Sequence, residues 1–225
     1  MSAIINSISE ILSSHSVLLF SDDDLACYRA NCEGFTRQLL AVVKLGTLDD
    51  IKPLLKLAND SAKDPDKAFS LNPISTGQNW GYGSAASNAK QAVIVDLSAL
   101  KTVVINSEEL GLVTVQPGVT QQQLYDVLQE KQLDFMVPVT GAGPTCSILA
   151  NALERGYGIT PFTDHFAAVN SIKGYLADGT FYQSPISELD SSGDDFIDKT
   201  YKYGIGPYID GLFSQSGFAI VTEIS

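Results

Sequence analysis

The chain has 225 residues, with 26 acidic and 14 basic side chains and a formal net charge of −12. That length supports one large domain or two small ones, and 44% hydrophobic against 18% charged residues excludes a compositionally disordered protein. The acidic balance argues against a nucleic-acid partner, no apolar run approaches the ~20 residues of a membrane span, and no basic-apolar leader is visible, so a soluble, cytoplasmic protein is expected.

In chain order, Ile4, Ile5, Ile8, Ile11 and Leu12 fall at helical spacing and predict an amphipathic helix. The run from Gln38 to Leu45 is apolar and partly β-branched, the pattern of a buried strand. Past Gly46 a helix follows, capped by Thr47, with Asp49 and Asp50 in its positive first turn and Ile51, Leu54, Leu55 and Ala58 as its apolar face. Ala68 to Leu71, Ala92 to Leu97, Thr102 to Ile105 and Leu112 to Val115 are further strands. Thr120 opens a helix with Leu124, Val127, Leu128 and Leu133 as its apolar face, and a short helix starts near Ser147. Ala167 to Leu176 and Thr180 to Tyr182 flank the hairpin signal Asp178-Gly179, and Phe218 to Ile224 is the last strand. This order describes an α+β chain of two lobes. Ending directly on an apolar strand reads as a chain cut from a longer one.

Cys27, Cys32 and Cys146 have neither the count nor the spacing of a disulfide scaffold or a zinc site and are expected to be buried or half-buried thiols. With only His15 and His165, a histidine-rich metal centre is not expected.

Chemistry concentrates in three loops. Asn72 to Ser84, NPISTGQNWGYGS, has the glycines to turn successive backbone N–H groups into one concavity that could hold phosphate oxygens without a cation, or it is an ordinary turn. It lacks the Lys-Ser/Thr of a P-loop and the G-x-G-x-x-G of a dinucleotide fold. In Val137 to Gly158, Gly141, Gly143 and Pro144 precede the short helix and Gly156 and Gly158 follow it, which would aim the helix dipole at whatever the loop cradles. In TPFTDH, Asp164 could tune His165, or it caps a turn beside a buried imidazole. Arg155 could meet a phosphate or pair with Glu154 or Asp164.

Taken together and in this order, ISTGQNWGYGSAA, VIVDLSAL, VQPGVTQQQLYDVLQ, ANALERGYGITPFTDHF, LADG and GPYIDGLFSQSGFAIVT resemble the FAD-binding portion of the vanillyl alcohol oxidase and para-cresol methylhydroxylase family, over about Gln38 to Glu223. The resemblance implies a two-subdomain α+β FAD-binding fold. Residues 1–36 would be an N-terminal helical segment and 37–225 the FAD-binding domain, divided into subdomains of about 37–98 and 99–225. It implies FAD as cofactor, with Thr76, Gly77, Gln78, Asn79, Trp80, Gly81 and Tyr82 on the pyrophosphate. Thr140, Gly141, Ser147, Asn151, Gly156 and Gly158 would face the pyrophosphate, ribityl chain and isoalloxazine. His165 would lie near the flavin, and Gly217, Ile220 and Val221 would pack close to the cofactor. The implied reaction is hydride transfer from a small organic substrate to flavin N5. No catalytic side chain and no metal ligand is assigned.

Three departures qualify the resemblance. Full-length members carry a second half that forms a cap supplying most of the substrate pocket, and that cap is absent here. Phenol-oxidising members usually place a carboxylate in the loop before the short helix, where this chain has PVTGAGPTCS, with Ala142 the nearest ungapped match. Where the family often has QSN, this chain has Gln215-Ser216-Gly217. The reading is therefore the FAD-binding portion of an oxidoreductase, inactive by itself and compatible with an oligomer. The alternatives are a non-catalytic or split-subunit flavin-binding module, and a relative acting on a non-phenolic alcohol or hydroxy acid.

Overall fold

The computed structural model describes residues 3–225 except 33, 35–37, 81, 84–86, 88, 90, 159–162, 190–195 and 205. The chain forms two compact units, residues 1–100 with 177–179 and residues 101–176 with 180–225. It is a mixed helix and sheet protein with one sheet in each unit, the α+β class expected.

The first unit runs α1 (Ala3–Ile11), β1 (Val17–Leu19), α2 (Asp22–Arg29), β2 (Leu39–Lys44), a 3-10 turn (Leu48–Asp50), α3 (Ile51–Ser61), β3 (Ser70–Ile74) and β4 (Ala92–Asp96). Its sheet has the order β1-β2-β4-β3. β4 is parallel to both neighbours, and Val93, Ile94 and Val95 are fully buried, which is why its sequence is continuously apolar rather than alternating. Thr47 Oγ1 accepts from the Asp49 N–H and tightens the first turn into 3-10 geometry before α3. Asp50 there accepts from the Ser13 N–H (3.1 Å) and hydroxyl (2.8 Å), fastening the segment after α1.

β1 and α2 were not among the expected elements, although Ser21 caps α2 by accepting from the Asp24 N–H and three aspartates fill its first turn. The third strand also runs later than expected, to Ile74, because its pairing continues to Ile74 opposite Asp96 and Pro73 is tolerated at the sheet edge. The glycine loop therefore leaves directly from the carboxyl end of a parallel strand.

The second unit contains β5 (Val103–Ser107), β6 (Leu112–Val115), α4 (Gln121–Glu130), α5 (Ile148–Leu153), a 3-10 turn (His165–Ala168), β7 (Ile172–Leu176), β8 (Phe181–Gln183), α6 (Ile197–Thr200) and β9 (Ala219–Ile224). Its sheet is antiparallel with the order β5-β6-β9-β7-β8. Val115, Leu124, Leu128, Ile148, Leu149, Val169, Ile172, Val221 and Ile224 form one core between sheet and helices. The strand expected from Ala167 begins only at Ile172, because Asp164 accepts from the Phe166 N–H and coils the preceding residues into the 3-10 turn. α4 stops at Glu130, and Gln132 takes a left-handed φ of 56° past its end. Cys146 is buried, but Cys27 and Cys32 are exposed, correcting the expectation for those two thiols.

Candidate cofactor-binding site

In the first unit the loop after Ile74 starts from buried Ser75. Gly77 has φ 70°, Trp80 φ 59° and Gly83 φ 77°, so three of the described residues of the loop are left-handed, and at Trp80 a bulky side chain bears that conformation. Trp80 is 64% exposed and Tyr82 61%, and their rings meet edge to face at 6.2 Å. Gln78 is exposed, Thr76 and Asn79 are half-buried, and Asn79 O accepts from the Tyr82 N–H. Gly81 lies outside the described residues. No Lys or Arg occurs from Ser75 to Gly83, so an anion there would meet backbone N–H and neutral side-chain donors.

In the second unit the remaining candidates fall into two tight groups. The first ties the loop at residues 140–147 to the start of α4. Gln121 Nε2 donates to Thr140 Oγ1 at 3.1 Å, and the N–H groups of Gln121 and Gln122 donate to the Cys146 and Pro144 carbonyls. Gly141 stands exposed beside Thr140. Ser147 is fully engaged: its hydroxyl donates to the Pro117 carbonyl at 2.6 Å and accepts from the Ala150 N–H at 3.1 Å, capping a helix of only six residues. Ser147→Ala is expected to cost about 1–2 kcal/mol in urea unfolding, since it removes the cap and leaves a buried carbonyl without its donor.

The second group is built on Asn151 and His165. Asn151 Nδ2 lies 2.5 Å from His165 Nδ1, and the imidazole is only 3% exposed. The Gly156 N–H donates to Asn151 O (2.7 Å), the His165 N–H to Gly156 O (3.0 Å) and the Gly158 N–H to Thr163 O (3.0 Å). A Cβ on Gly156 would coincide with Asn151 Oδ1, and one on Gly158 would overlap Val139 O and stand 2.7 Å from His165 Nε2. These two glycines are thus required by the protein's own neighbouring backbone and side chains. Burial pushes the His165 pKa below its usual value despite the pull of Asp164, so the ring is neutral near neutral pH.

Asp164 both caps the 3-10 turn and forms an ion pair with Arg155, which takes a left-handed φ of 56°. Of the roles open to these residues in sequence, the turn cap and the structural ion pair are the ones observed. Gln215, φ 52°, ties the closing segment to the end of α5 through its N–H to Leu153 O and its side chain to Glu154 O. Gly217 is exposed, whereas Ile220 and Val221 are buried within the sheet. Sequence reasoning missed Gln121 as the support of Thr140; its place directly after the Thr120 cap was the available signal. It also missed a cavity of about 410 Å³ inside this unit, lined by Val113, Leu124, Leu128 and Ile148, with Asn151 and His165 among its polar wall.

The loop chemistry fits FAD. The loop after β3 is left-handed at several residues and carries no cation, the backbone type that can meet a pyrophosphate through N–H groups, and the exposed rings of Trp80 and Tyr82 on the same loop present faces for a planar group. Among the described residues no group of three or more His, Cys, Asp or Glu is placed to hold a metal ion.

A family model described as an FAD binding domain matches residues 39–184. The chain belongs to this family of FAD-binding flavoprotein domains, in the group that contains vanillyl alcohol oxidase and p-cresol methylhydroxylase. It is 32% identical over 184 residues to the 4-cresol dehydrogenase [hydroxylating] flavoprotein subunit of Pseudomonas putida, covering 82% of this chain and 34% of that protein. It is 30% identical over 190 residues to the 1'-carboxy-chondrochloren decarboxylase of Chondromyces crocatus, covering 84% of this chain and 34% of that protein. The crystal structure of p-cresol methylhydroxylase with substrate bound superposes with a TM-score of 0.86 and 28% identity, over 98% of this chain and 42% of that one. The chain spans about a third of the length of the curated relatives it matches. Its cofactor is FAD.

Proposed function

We propose that this chain is the FAD-binding portion of a flavin-dependent oxidoreductase that oxidises a small organic substrate, most of whose pocket comes from a cap domain outside these residues. The observation that carries this reading is the family match across both units, joined to a cation-free, left-handed loop at the end of a parallel strand. Bound FAD would supply a hydride acceptor at flavin N5. The chain's own part is to hold and orient. The loop from Thr76 to Tyr82 meets the pyrophosphate with backbone donors. Gln121 keeps Thr140 in place, and the Asn151–His165 pair shapes the turn at Gly156 and Gly158; Thr140, Asn151, Gly156, Gly158 and His165 are residues that the family resemblance assigns to the flavin. Among the described residues no helix is long and apolar enough to cross a membrane, and a cytoplasmic location is part of the proposal.

A second reading is favoured by the decarboxylase among the relatives, which is nearly as similar as the cresol dehydrogenase. The same FAD-holding portion would then serve an enzyme whose substrate carries a carboxyl group to be lost.

Titrating the purified chain with FAD is expected to quench flavin fluorescence saturably and raise its Tm, with negligible turnover of phenolic alcohols. Absence of both signals would overturn the flavin assignment. Anaerobic mixing of the complete protein with p-cresol and with a carboxylated phenol separates the two readings: flavin bleaching by the first supports oxidation, and carbon dioxide release from the second supports decarboxylation.

A further inference from the structure

We propose that His165 is a positioning residue: its neutral imidazole accepts the Asn151 amide hydrogen and so sets the Gly156–Gly158 turn, which makes flavin binding dependent on proton concentration. The inference rests on the flavin reading of that turn, and its test separates the two.

An amide nitrogen only donates, so the 2.5 Å approach of Asn151 Nδ2 requires Nδ1 of His165 to accept, and a neutral ring then carries its proton on Nε2. Nε2 faces the space over Gly158 where a side chain would stand, while Asn151 Oδ1 fills the corresponding space over Gly156. The backbone closes the same circuit, because the His165 N–H binds Gly156 O and the Gly156 N–H binds Asn151 O. One imidazole therefore contacts the surroundings of both glycines.

Protonation would put an N–H on Nδ1 facing the Asn151 NH₂ group, two donors without an acceptor between them, and the pair would separate. The charged groups around the ring do not prevent this. Asp164 lies on its own turn but is paired with Arg155 from the end of α5, and Lys202 donates to the Phe166 and Ala167 carbonyls. Asp134 stands on the wall of the cavity that Asn151 and His165 also line. Burial outweighs the pull of Asp164, so the folded ring titrates below 6.5. The pair's contribution is then complete above that pH and lost as the pH falls through the lowered value.

The test uses ring ¹⁵N shifts of the flavin-free chain, in which His15 is the other histidine, together with FAD affinity between pH 5 and 8 for the parent chain, His165→Gln and Asn151→Asp. The expected results are an Nε2–H tautomer, a Gly158 amide shift that moves with the His165 titration, and a parent affinity that falls by up to tenfold per pH unit on acidification. His165→Gln should lose that dependence. Asn151→Asp should abolish or reverse it, because a carboxylate accepts from the imidazolium. An Nδ1–H tautomer, or an unchanged pH profile in either variant, would overturn the proposal. If FAD fails to bind at every pH the flavin reading fails, and the tautomer and the Gly158 shift still decide the positioning role.

Discussion

Gly158→Ala is expected to lower the Tm of the chain sharply and to abolish FAD binding. The added Cβ would overlap Val139 O and lie 2.7 and 2.9 Å from Nε2 and Cε1 of His165. Neither obstacle is the free end of a flexible side chain. Val139 presents backbone, and His165 is buried and held by Asn151 on its other side. The turn must therefore shift as a whole, at a cost of about 3 kcal/mol or more. Thermal unfolding followed by circular dichroism measures the loss, and a Tm within a degree of the parent would show that the turn is not held as described. Gly156→Ala should be costly as well, because its Cβ would meet Asn151 Oδ1 and Cγ and stand 2.7 Å from the Asn151 backbone oxygen, so the amide would have to leave the imidazole and the turn would still have to shift.

Gly77→Val is expected to separate binding from folding. Gly77 has φ 70°, a conformation that a β-branched residue reaches only under strain. The loop would either keep its path at a cost of about 1–3 kcal/mol or turn the peptide and withdraw an N–H donor. Because the loop leaves β3 after its pairing with β4 is complete, the sheet beneath should survive. Calorimetric titration should show FAD affinity reduced by roughly tenfold to a hundredfold, with the far-UV spectrum retained. Parent-like affinity would remove this loop from the cofactor site.

Much of this architecture is written in local signals. The apolar run of β4 and the caps at Thr47, Thr120 and Ser147 each specify their element through a few adjacent residues. β1 escaped because three half-exposed residues form a strand only through partners at Val42 to Lys44. The segment after His165 read as strand because its apolar residues are right for one, and the Asp164 side chain decided otherwise. Site chemistry was legible by type more than by duty. Glycines at 156 and 158 stood out after the short helix, but the groups packed against them, Asn151, His165 and the Val139 carbonyl, could be identified only in three dimensions. The same holds for Ser147, whose second bond reaches back to Pro117.

The position of β9 has a consequence for how the protein is made. The last strand in sequence lies in the middle of its sheet, joined to β6 through Ile224 opposite Val115 and to β7 along its length. Until it emerges from the ribosome, β5–β6 and β7–β8 are two separate hairpins with exposed edges, and neither can be stable alone. The second unit must therefore wait for Ile224 before it can close, while β1 to β4 are complete by Asp96. During synthesis the sheet of the first unit can be finished while the second unit is still an aggregation-prone intermediate, and the closing step, which joins residues far apart in the chain, is the slow one.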